Sequence, residues 1–214
     1  DKATGVPIAR AMVWQDRRTA AQCERLRGQG LEAQFQNKTG LLLDPYFSAT
    51  KVAWAIENWP TVAKANREGR LAVGTIDSYL IARLSGGVVH ATEPSNASRT
   101  LCFDIRTLKF DDELCGLLNI PRTIWPEVLP STGTFAVTHG VPGLPDGIPV
   151  SGVLGDQQAA LLGQACFKEG MAKCTYGTGA FMLMNTGKTP IPSKHRLLTT
   201  IAWKMGREAP VYAL

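Results

Sequence analysis

Residues 148–187 constrain the fold most, because they join an apolar segment, an acid and a glycine-rich turn in a short distance. Residues 148–154 are mostly apolar, and they lead through Gly155 to Asp156 at the start of a helical pattern. This order predicts a buried strand that delivers a carboxylate to the first turn of a helix. Because ligands of open α/β sheets bind beyond the carboxyl ends of the strands, Asp156 is a candidate catalytic residue.

The sequence leaves two roles open for Asp156. Aspartate is a favourable N-cap, so the residue could serve only to cap the helix that follows it. The helix dipole also favours an ionised carboxylate, which a general base needs near neutral pH. Gln157 adds a hydrogen-bonding side chain directly beside the acid. A capping role and a catalytic role are therefore both consistent with the sequence.

A second motif lies at residues 172–187, where two apolar runs flank Gly177, Thr178 and Gly179. This pattern predicts a β-hairpin with small residues at its tip. Glycines let backbone amides approach an anion, and Thr178 adds a hydroxyl group, so the tip is a candidate phosphate site. Many hairpins carry such residues for turn geometry alone, and this tip has neither the Walker nor the dinucleotide-binding pattern. An acid facing such a turn suggests phosphoryl transfer.

Strand and helix patterns alternate along most of the chain, which predicts an α/β fold. Consecutive strands follow residue 166, so we expect one domain at residues 1–166 and part of a second at 167–214. Residues 93–100 and 121–149 are expected to be irregular. The predicted helices are 19–28, 31–38, 48–59, 62–68, 75–84, 112–118 and 156–165, and the main predicted strands are 7–14, 70–74, 88–92, 101–105, 150–154 and 197–203.

Composition excludes several classes of protein. The 214 residues are 44% apolar and 19% charged, which is ordinary for a soluble globular protein, and no apolar run is long enough to cross a membrane. The net charge of +5 comes from scattered basic residues, so we expect no nucleic-acid partner. The five cysteines form no C-x-x-C pair, and the three histidines share no ligand spacing. Free thiols in the cytoplasm, without a zinc site, are expected.

Several segments together resemble one known family. They include Trp-Gln-Asp-Arg-Arg, Gly-Asp-Gln-Gln, Tyr-Gly-Thr-Gly and Met-Asn-Thr-Gly, and they lie at residues 13–19, 40–48, 50–54, 96–100, 155–160, 175–179 and 181–187. In this order, over essentially the whole chain, they resemble the FGGY carbohydrate kinases, and the last three motifs resemble the glycerol kinases of that family. The resemblance implies the two-lobed ribonuclease-H-like fold shared with actin and hexokinase. It places residues 1–166 in the N-terminal lobe and 167–214 at the start of the C-terminal lobe.

The resemblance also implies a reaction, the ATP-dependent phosphorylation of glycerol to glycerol 3-phosphate. Asp156 would be the base that takes the proton from the attacking hydroxyl group. Gln157 and Tyr46 would hydrogen-bond hydroxyl groups of glycerol. ATP with Mg²⁺ is the implied cofactor, and the acid associated with the metal in this family would lie outside residues 1–214. We therefore assign no metal ligand within the chain.

Four further residues receive roles from the resemblance. Trp14 and Phe181 would wall the carbon backbone of glycerol, and Gly177 and Thr178 would hold the transferring phosphate. The residues alone leave an alternative open, because Trp14, Tyr46 and Phe181 adjoin apolar runs and could be core aromatics.

The chain resembles only the central part of such a kinase. Both of its ends look cut, and the family's first phosphate hairpin, its Arg-Glu pair for glycerol and its adenine-binding part would lie outside it. We expect residues 1–214 alone to bind ATP poorly and to be inactive, and a homo-oligomer of the full-length protein stays open. The alternatives are another FGGY sugar kinase, of the xylulose or ribulose type, and a truncated, non-catalytic polyol-binding module.

Overall fold

The structure, a computed structural model, describes residues 1–177 and 179–214. Its helices are α1 (Ala20–Gly28), α2 (Glu32–Thr39), α3 (Ser48–Asn58), α4 (Pro60–Arg67), α5 (Ile76–Leu84), α6 (Pro94–Ala97), α7 (Asp112–Leu117) and α8 (Asp156–Gly163). Its strands are β1 (Ala91–Thr92), β2 (Phe103–Asp104), β3 (Lys109–Phe110), β4 (Glu127–Val128), β5 (Thr132–Val137), β6 (Pro149–Gly152), β7 (Ala172–Tyr176), β8 (Ala180–Gly187), β9 (Thr200–Trp203) and β10 (Val211–Ala213).

The largest sheet among the described residues has four strands in the order β7-β8-β10-β9. Its neighbouring strands are antiparallel, and the β7–β8 hairpin pairs Ala172 with Met184 at its base and Tyr176 with Ala180 at its tip. Smaller ladders join β1 with β4 in parallel, and β2 with β3 and β5 with β6 in antiparallel fashion. The predicted hairpin of residues 172–187 is confirmed.

Helices α1 to α4 and α7 enclose the larger core. Phe35, Leu41, Phe47 and Leu114 are at most 2% exposed there. A smaller core lies between α8 and the four-stranded sheet, where Leu161 packs with Trp203 and its neighbours. Burying an aliphatic side chain of this size stabilises a fold by roughly 1.5–3 kcal/mol. Leu161 therefore fixes α8, and with it Asp156, against the sheet that carries the hairpin.

Local sequence accounts for several helix boundaries. Helix α2 ends at Gly40, whose φ of 74° is the left-handed conformation that glycine adopts without strain. A Cβ atom at this position would lie 2.3 Å from the carbonyl oxygen of Thr199, so only glycine fits. At α7, the Asp111 carboxylate accepts a hydrogen bond from the Leu114 amide at 2.9 Å, the contact that an N-cap residue makes. Pro60 separates α3 from α4 by starting the second helix.

Two predicted strands are wrong, and both segments predicted to be irregular contain regular structure. Residues 127–128 and 132–137, in the second of these segments, form β4 and β5. Residues 7–14 and 70–74 form no strand among the described residues, because neither segment pairs with a neighbouring strand. Residues 94–97, predicted to be irregular, form α6. Its cap was missed because Glu93, rather than an aspartate or serine, accepts hydrogen bonds from the amides of Ser95 and Asn96.

The strand before Asp156 is also different from its prediction. β6 pairs with β5 at one edge, and Ser151 and Gly152 are exposed, so it is no buried central strand. The division of the chain at residues 166 and 167 stays a prediction. Within residues 1–177 and 179–214, no helix has both the length and the apolar character needed to cross a membrane.

Candidate active site

A cavity of about 220 Å³ lies between the start of α8 and the β7–β8 hairpin. The residues that line it include four predicted site residues, and the full lining is Trp14, Gln157, Thr175, Gly177, Gly179 and Phe181. The volume is below the roughly 300–1,000 Å³ of pockets for drug-sized ligands, so the cavity suits a small molecule. Thr178, predicted to hold a phosphate, lies outside the described residues.

Asp156 is the first residue of α8 and is exposed to solvent. Gly155 occupies the N-cap position, so the alternative that Asp156 serves only as the cap is wrong. The Asp156 Oδ1 atom accepts a hydrogen bond from the Gln157 amide at 2.8 Å, and Oδ2 accepts one from Gln157 Nε2 at 3.2 Å. Asp156 does not itself line the cavity, and it reaches the cavity through Gln157.

A buried hydrogen-bond network holds the start of α8. The Gly155 amide donates to Ser95 Oγ at 2.9 Å, and that hydroxyl donates in turn to the Glu93 carboxylate. Glu93 is fully buried and also accepts a hydrogen bond from Ser131 Oγ at 2.9 Å. Burial raises the pKa of Glu93, while these donors act in the opposite direction. The position of Asp156 therefore depends on Glu93, an acid in the segment 93–100 that was predicted to be irregular.

Lys173 lies beneath the cavity, in β7, and is 1% exposed. Its ammonium group donates to Gln157 Oε1, to Thr175 Oγ1 at 2.9 Å and to the carbonyl oxygen of Phe181 at 3.3 Å. Burial lowers the pKa of Lys173, and the negative charge of Asp156 opposes that shift. Lys173 could not be recognised as a site residue in the sequence, because a lysine in a strand of a hairpin ordinarily faces solvent.

A second buried lysine, Lys51, holds together the segments that carry the aromatic residues Trp14 and Tyr46. The rings of Trp14 and Tyr46 lie 5.7 Å apart between centroids. Lys51, in α3, donates to the carbonyl oxygens of Val13 at 2.9 Å and Tyr46 at 3.2 Å, and so ties the two aromatic segments together. Burial lowers the pKa of Lys51. Its place in the motif at residues 50–54 is the signal in the sequence that could have identified Lys51 as a residue that supports the site.

Exposure separates the three predicted aromatic residues. Trp14 is 55% exposed and Phe181 is 39% exposed, and both line the cavity, so the alternative that they are core residues is wrong. Tyr46 is half-buried and packs edge-on against Phe47, with 5.2 Å between ring centroids. Tyr46 therefore belongs partly to the core, and it meets the cavity only through Trp14.

The hairpin tip has a closed geometry. The Gly177 amide donates to the carbonyl oxygen of Gly179 at 2.9 Å, so this N–H group is already used within the turn. A phosphate contact from Gly177 would require this hydrogen bond to open. A Cβ atom on Gly179 would lie 3.2 Å from Cε2 of Phe181, so the turn packs directly against one wall of the cavity.

The part of the chain that the structure describes holds no group of three or more histidine, cysteine, aspartate or glutamate side chains placed to bind a metal ion. The five cysteines are free thiols, and Cys174 is the exposed one.

Known proteins are similar to this chain over its whole length. The N-terminal domain of the FGGY family of carbohydrate kinases matches residues 1–163. The glycerol kinase of Alkalilimnicola ehrlichii is 53% identical over 214 residues, which cover 100% of this chain and 43% of the relative. The chain spans less than half the length of the curated relatives it matches.

Solved structures give the same result. The crystal structure of Plasmodium falciparum glycerol kinase with ADP superimposes with a TM-score of 0.95 at 39% identity, over 100% of this chain and 43% of that one. The ligand-bound xylulose kinase of Lactobacillus acidophilus superimposes with a TM-score of 0.78 at 18% identity, over 97% of this chain and 41% of that one. The second likeness shows the fold alone.

The predicted fold class is confirmed, because these neighbours share the ribonuclease-H-like α/β fold and the chain superimposes on them over nearly its full length. The resemblance drawn from the sequence motifs is confirmed as well, since the family's N-terminal domain covers most of the chain. The chain belongs to the FGGY family of carbohydrate kinases.

Proposed function

We propose that this chain forms part of an ATP-dependent glycerol kinase, which converts glycerol and ATP into glycerol 3-phosphate and ADP. The observation that carries the proposal is the cavity in which Trp14, Phe181 and Gln157 meet, with Asp156 hydrogen-bonded to that glutamine. Aromatic walls and an amide suit a small molecule that presents both C–H and hydroxyl groups. The names of the similar proteins support glycerol as that molecule.

In the proposed reaction, Asp156 acts as the general base. Its carboxylate takes the proton of a glycerol hydroxyl group while the oxygen forms a bond to the γ-phosphorus of ATP, and the bond from that phosphorus to ADP breaks. The N-terminus of α8 favours the ionised carboxylate that this step requires. Phosphoryl transfer depends mainly on positioning and charge, so the network that holds Asp156 contributes directly to the rate.

The other site residues bind substrate in this proposal. Gln157 and Tyr46 hydrogen-bond glycerol hydroxyl groups, and Trp14 and Phe181 enclose its carbon atoms. Tyr46 does not line the cavity, so this role requires its side chain to move toward the substrate.

Gly177 and Thr178 hold the transferring phosphate of ATP. This assignment requires the Gly177–Gly179 hydrogen bond to open when the nucleotide arrives. ATP would carry Mg²⁺ in this proposal, and no residue of this chain is assigned as a ligand of that ion.

We assign residues 1–166 to the N-terminal lobe and 167–214 to the start of the C-terminal lobe. The assignment is supported by the cavity, because Trp14 and Gln157 line it from one side of this division and Thr175 and Phe181 from the other. Residues 1–214 alone would then bind ATP poorly and be inactive.

Free cysteines support a cytoplasmic enzyme. A homo-oligomer stays an expectation of the resemblance.

A coupled assay on the full-length gene product tests the function. It compares glycerol with xylulose, ribulose and gluconate at equal concentrations of ATP, and we expect the highest kcat/KM with glycerol. A preference for a sugar would make the protein another FGGY kinase. Glycerol binding in calorimetry without ATP binding or turnover would instead favour the polyol-binding module.

The variant Asp156→Asn tests the proposed base. Its carboxamide cannot take a proton, so we expect kcat to fall by about 10²–10⁴-fold, the usual contribution of general base catalysis. Asp112→Asn is the matched control, because Asp112 is also the exposed first residue of a helix but lies away from the cavity. Near-normal turnover of Asp156→Asn, with a normal melting temperature, would refute the role of Asp156.

A further inference from the structure

Lys173 is a buried cation that lacks a carboxylate within ion-pair distance among residues 1–177 and 179–214. Removing a charge from water without pairing it is unfavourable, so a purely structural interior position would favour an apolar residue. That cost is offset by the hydrogen bonds that the ammonium group makes and, in part, by the negative charge of Asp156. What those bonds hold in place therefore indicates what Lys173 does.

The bonds of Lys173 leave nothing for a ligand. An ammonium group has three N–H donors, and its three acceptors are Gln157 Oε1, Thr175 Oγ1 and the Phe181 carbonyl oxygen. All three acceptors belong to residues that line the cavity. Since its donors are saturated, Lys173 acts on the cavity through these neighbours and not by direct contact with substrate.

The strongest consequence concerns the amide of Gln157. Its oxygen faces the ammonium group, so its NH₂ group is turned toward Asp156, where Nε2 lies 3.2 Å from Oδ2. The flipped amide would place NH₂ against the ammonium group and a carbonyl oxygen against the carboxylate, and both contacts are repulsive. Lys173 and Asp156 thus select the same orientation from opposite ends. One N–H of Gln157 remains for a molecule in the cavity.

We propose that Lys173 is a positioning residue that locks Gln157 as a hydrogen-bond donor, so that the site accepts a substrate oxygen at that point. The inference rests on the proposed function for the identity of the substrate, glycerol, whose hydroxyl oxygen would accept this bond. It adds a specificity rule, because a substrate must present a hydrogen-bond acceptor to Gln157. The same amide donates a hydrogen bond to the Asp156 carboxylate, which therefore acts as an acceptor.

A double-mutant cycle with Lys173→Met and Gln157→Ala tests this positioning role in the full-length gene product. Methionine keeps the length of the side chain and removes its charge and donors. We expect Lys173→Met to raise the KM for glycerol about tenfold, equivalent to about 1.4 kcal/mol. In the Gln157→Ala background the same change should raise it no further. Multiplicative effects of the two changes would overturn the proposal.

Two controls separate positioning from general loosening of the hairpin. The KM for ATP should change less than that for glycerol, and an equal rise in both would contradict the proposal. Lys204→Met, which removes a lysine just beyond β9, should leave both constants unchanged. If Lys173→Met does not fold, Lys173→Arg replaces it in the cycle: arginine keeps the charge but not the three-acceptor geometry, and its effect should also vanish without Gln157.

The two proposals fail in different ways. Absence of glycerol turnover by the wild-type protein would count against the proposed function. Normal turnover without coupling between residues 173 and 157 would count against Lys173 as a positioning residue alone.

Discussion

The guanidinium carbon of Arg99 lies 5.9 Å from the centroid of the Tyr46 ring. The same group lies 5.1 Å from the ring of Phe47, so it covers both aromatic side chains at the edge of the core. Burial lowers the pKa of Arg99, and the neighbouring Tyr46 side chain and the negative charge of Asp156 oppose the shift. Arg99 therefore lies over the Tyr46 ring and orients it by cation–π attraction.

We predict that Arg99→Gln weakens glycerol binding. Loss of a partly desolvated cation–π contact of about 1 kcal/mol would raise the KM for glycerol about fivefold. Arg83→Gln is the matched control, because Arg83 is exposed on α5. Steady-state kinetics of both variants check the prediction, and equal KM values would show that Arg99 does not orient Tyr46.

We predict that Lys51→Met loosens the contact between Trp14 and Tyr46. The change leaves the carbonyl oxygens of Val13 and Tyr46 without their shared donor, at a cost of about 1–3 kcal/mol in the free energy of unfolding. Urea denaturation measures that cost, and the KM for glycerol should rise in parallel. Lys64→Met, on the exposed side of α4, should alter neither quantity. A destabilised protein with an unchanged KM would mean that the tie is structural only.

Local patterns predicted much of the helical structure and the hairpin. Turn and cap residues such as Gly40, Asp111 and Pro60 act through their immediate neighbours, so they can be recognised without the tertiary structure. The two strands predicted at 7–14 and 70–74 failed because a strand exists only where another strand pairs with it. The pattern of apolar residues carries no information about that partner.

The candidate site was predictable in part. Motifs identified Trp14, Gln157, Gly177 and Phe181, and the structure brings all four to one cavity. The roles of the supporting residues were not predictable: Lys51 and Arg99 lie in family motifs and Lys173 in a strand, but all three look like ordinary surface cations in the sequence. Their roles arise from burial and from acceptors that are distant along the chain or across a strand pair, which only the folded structure reveals.

We predict that Glu93→Gln destabilises the protein and impairs catalysis together. The Glu93 carboxylate accepts hydrogen bonds from Ser95 and Ser131, and a glutamine NH₂ group would face donors instead. A buried mismatch of this kind costs about 1–3 kcal/mol. It would also release the Ser95 hydroxyl that holds Gly155, so kcat should fall. Chemical denaturation and kinetics measure the two effects, and a stable, fully active variant would contradict this role.

The stability contributed by Glu93 should depend on pH. Its pKa in the folded protein lies above the ordinary value of 4.5, because burial disfavours the charged form. Between 4.5 and the folded-state pKa, the folded protein binds more protons at this site than the unfolded chain, so stability falls as pH rises through that window. Glu93→Gln has no such titration. The stability difference between wild type and variant should therefore shrink with rising pH, and a difference that grows would refute the assignment.

We predict that side chains at Gly179 act on the cavity through Phe181. The backbone of Gly179 does not need the left-handed conformation, so the cost of a substitution comes from the contact at 3.2 Å with the Phe181 ring. Overpacking of this kind costs roughly 1–3 kcal/mol, and the Phe181 ring should be displaced more by valine than by alanine. The KM for glycerol should rise in that order. Gly163→Ala is the matched control, because a Cβ atom at Gly163 meets nothing within 4 Å.

The link from Gly179 to Phe181 can be tested by making room for the new side chain. In a Phe181→Leu background the smaller side chain leaves space beside the turn, so Gly179→Ala should add little to the KM of that variant. The two single changes should thus be non-additive, as expected for residues in direct contact. Additive effects would mean that Gly179 acts on the nucleotide side of the turn, and a rise in the KM for ATP alone would identify that case.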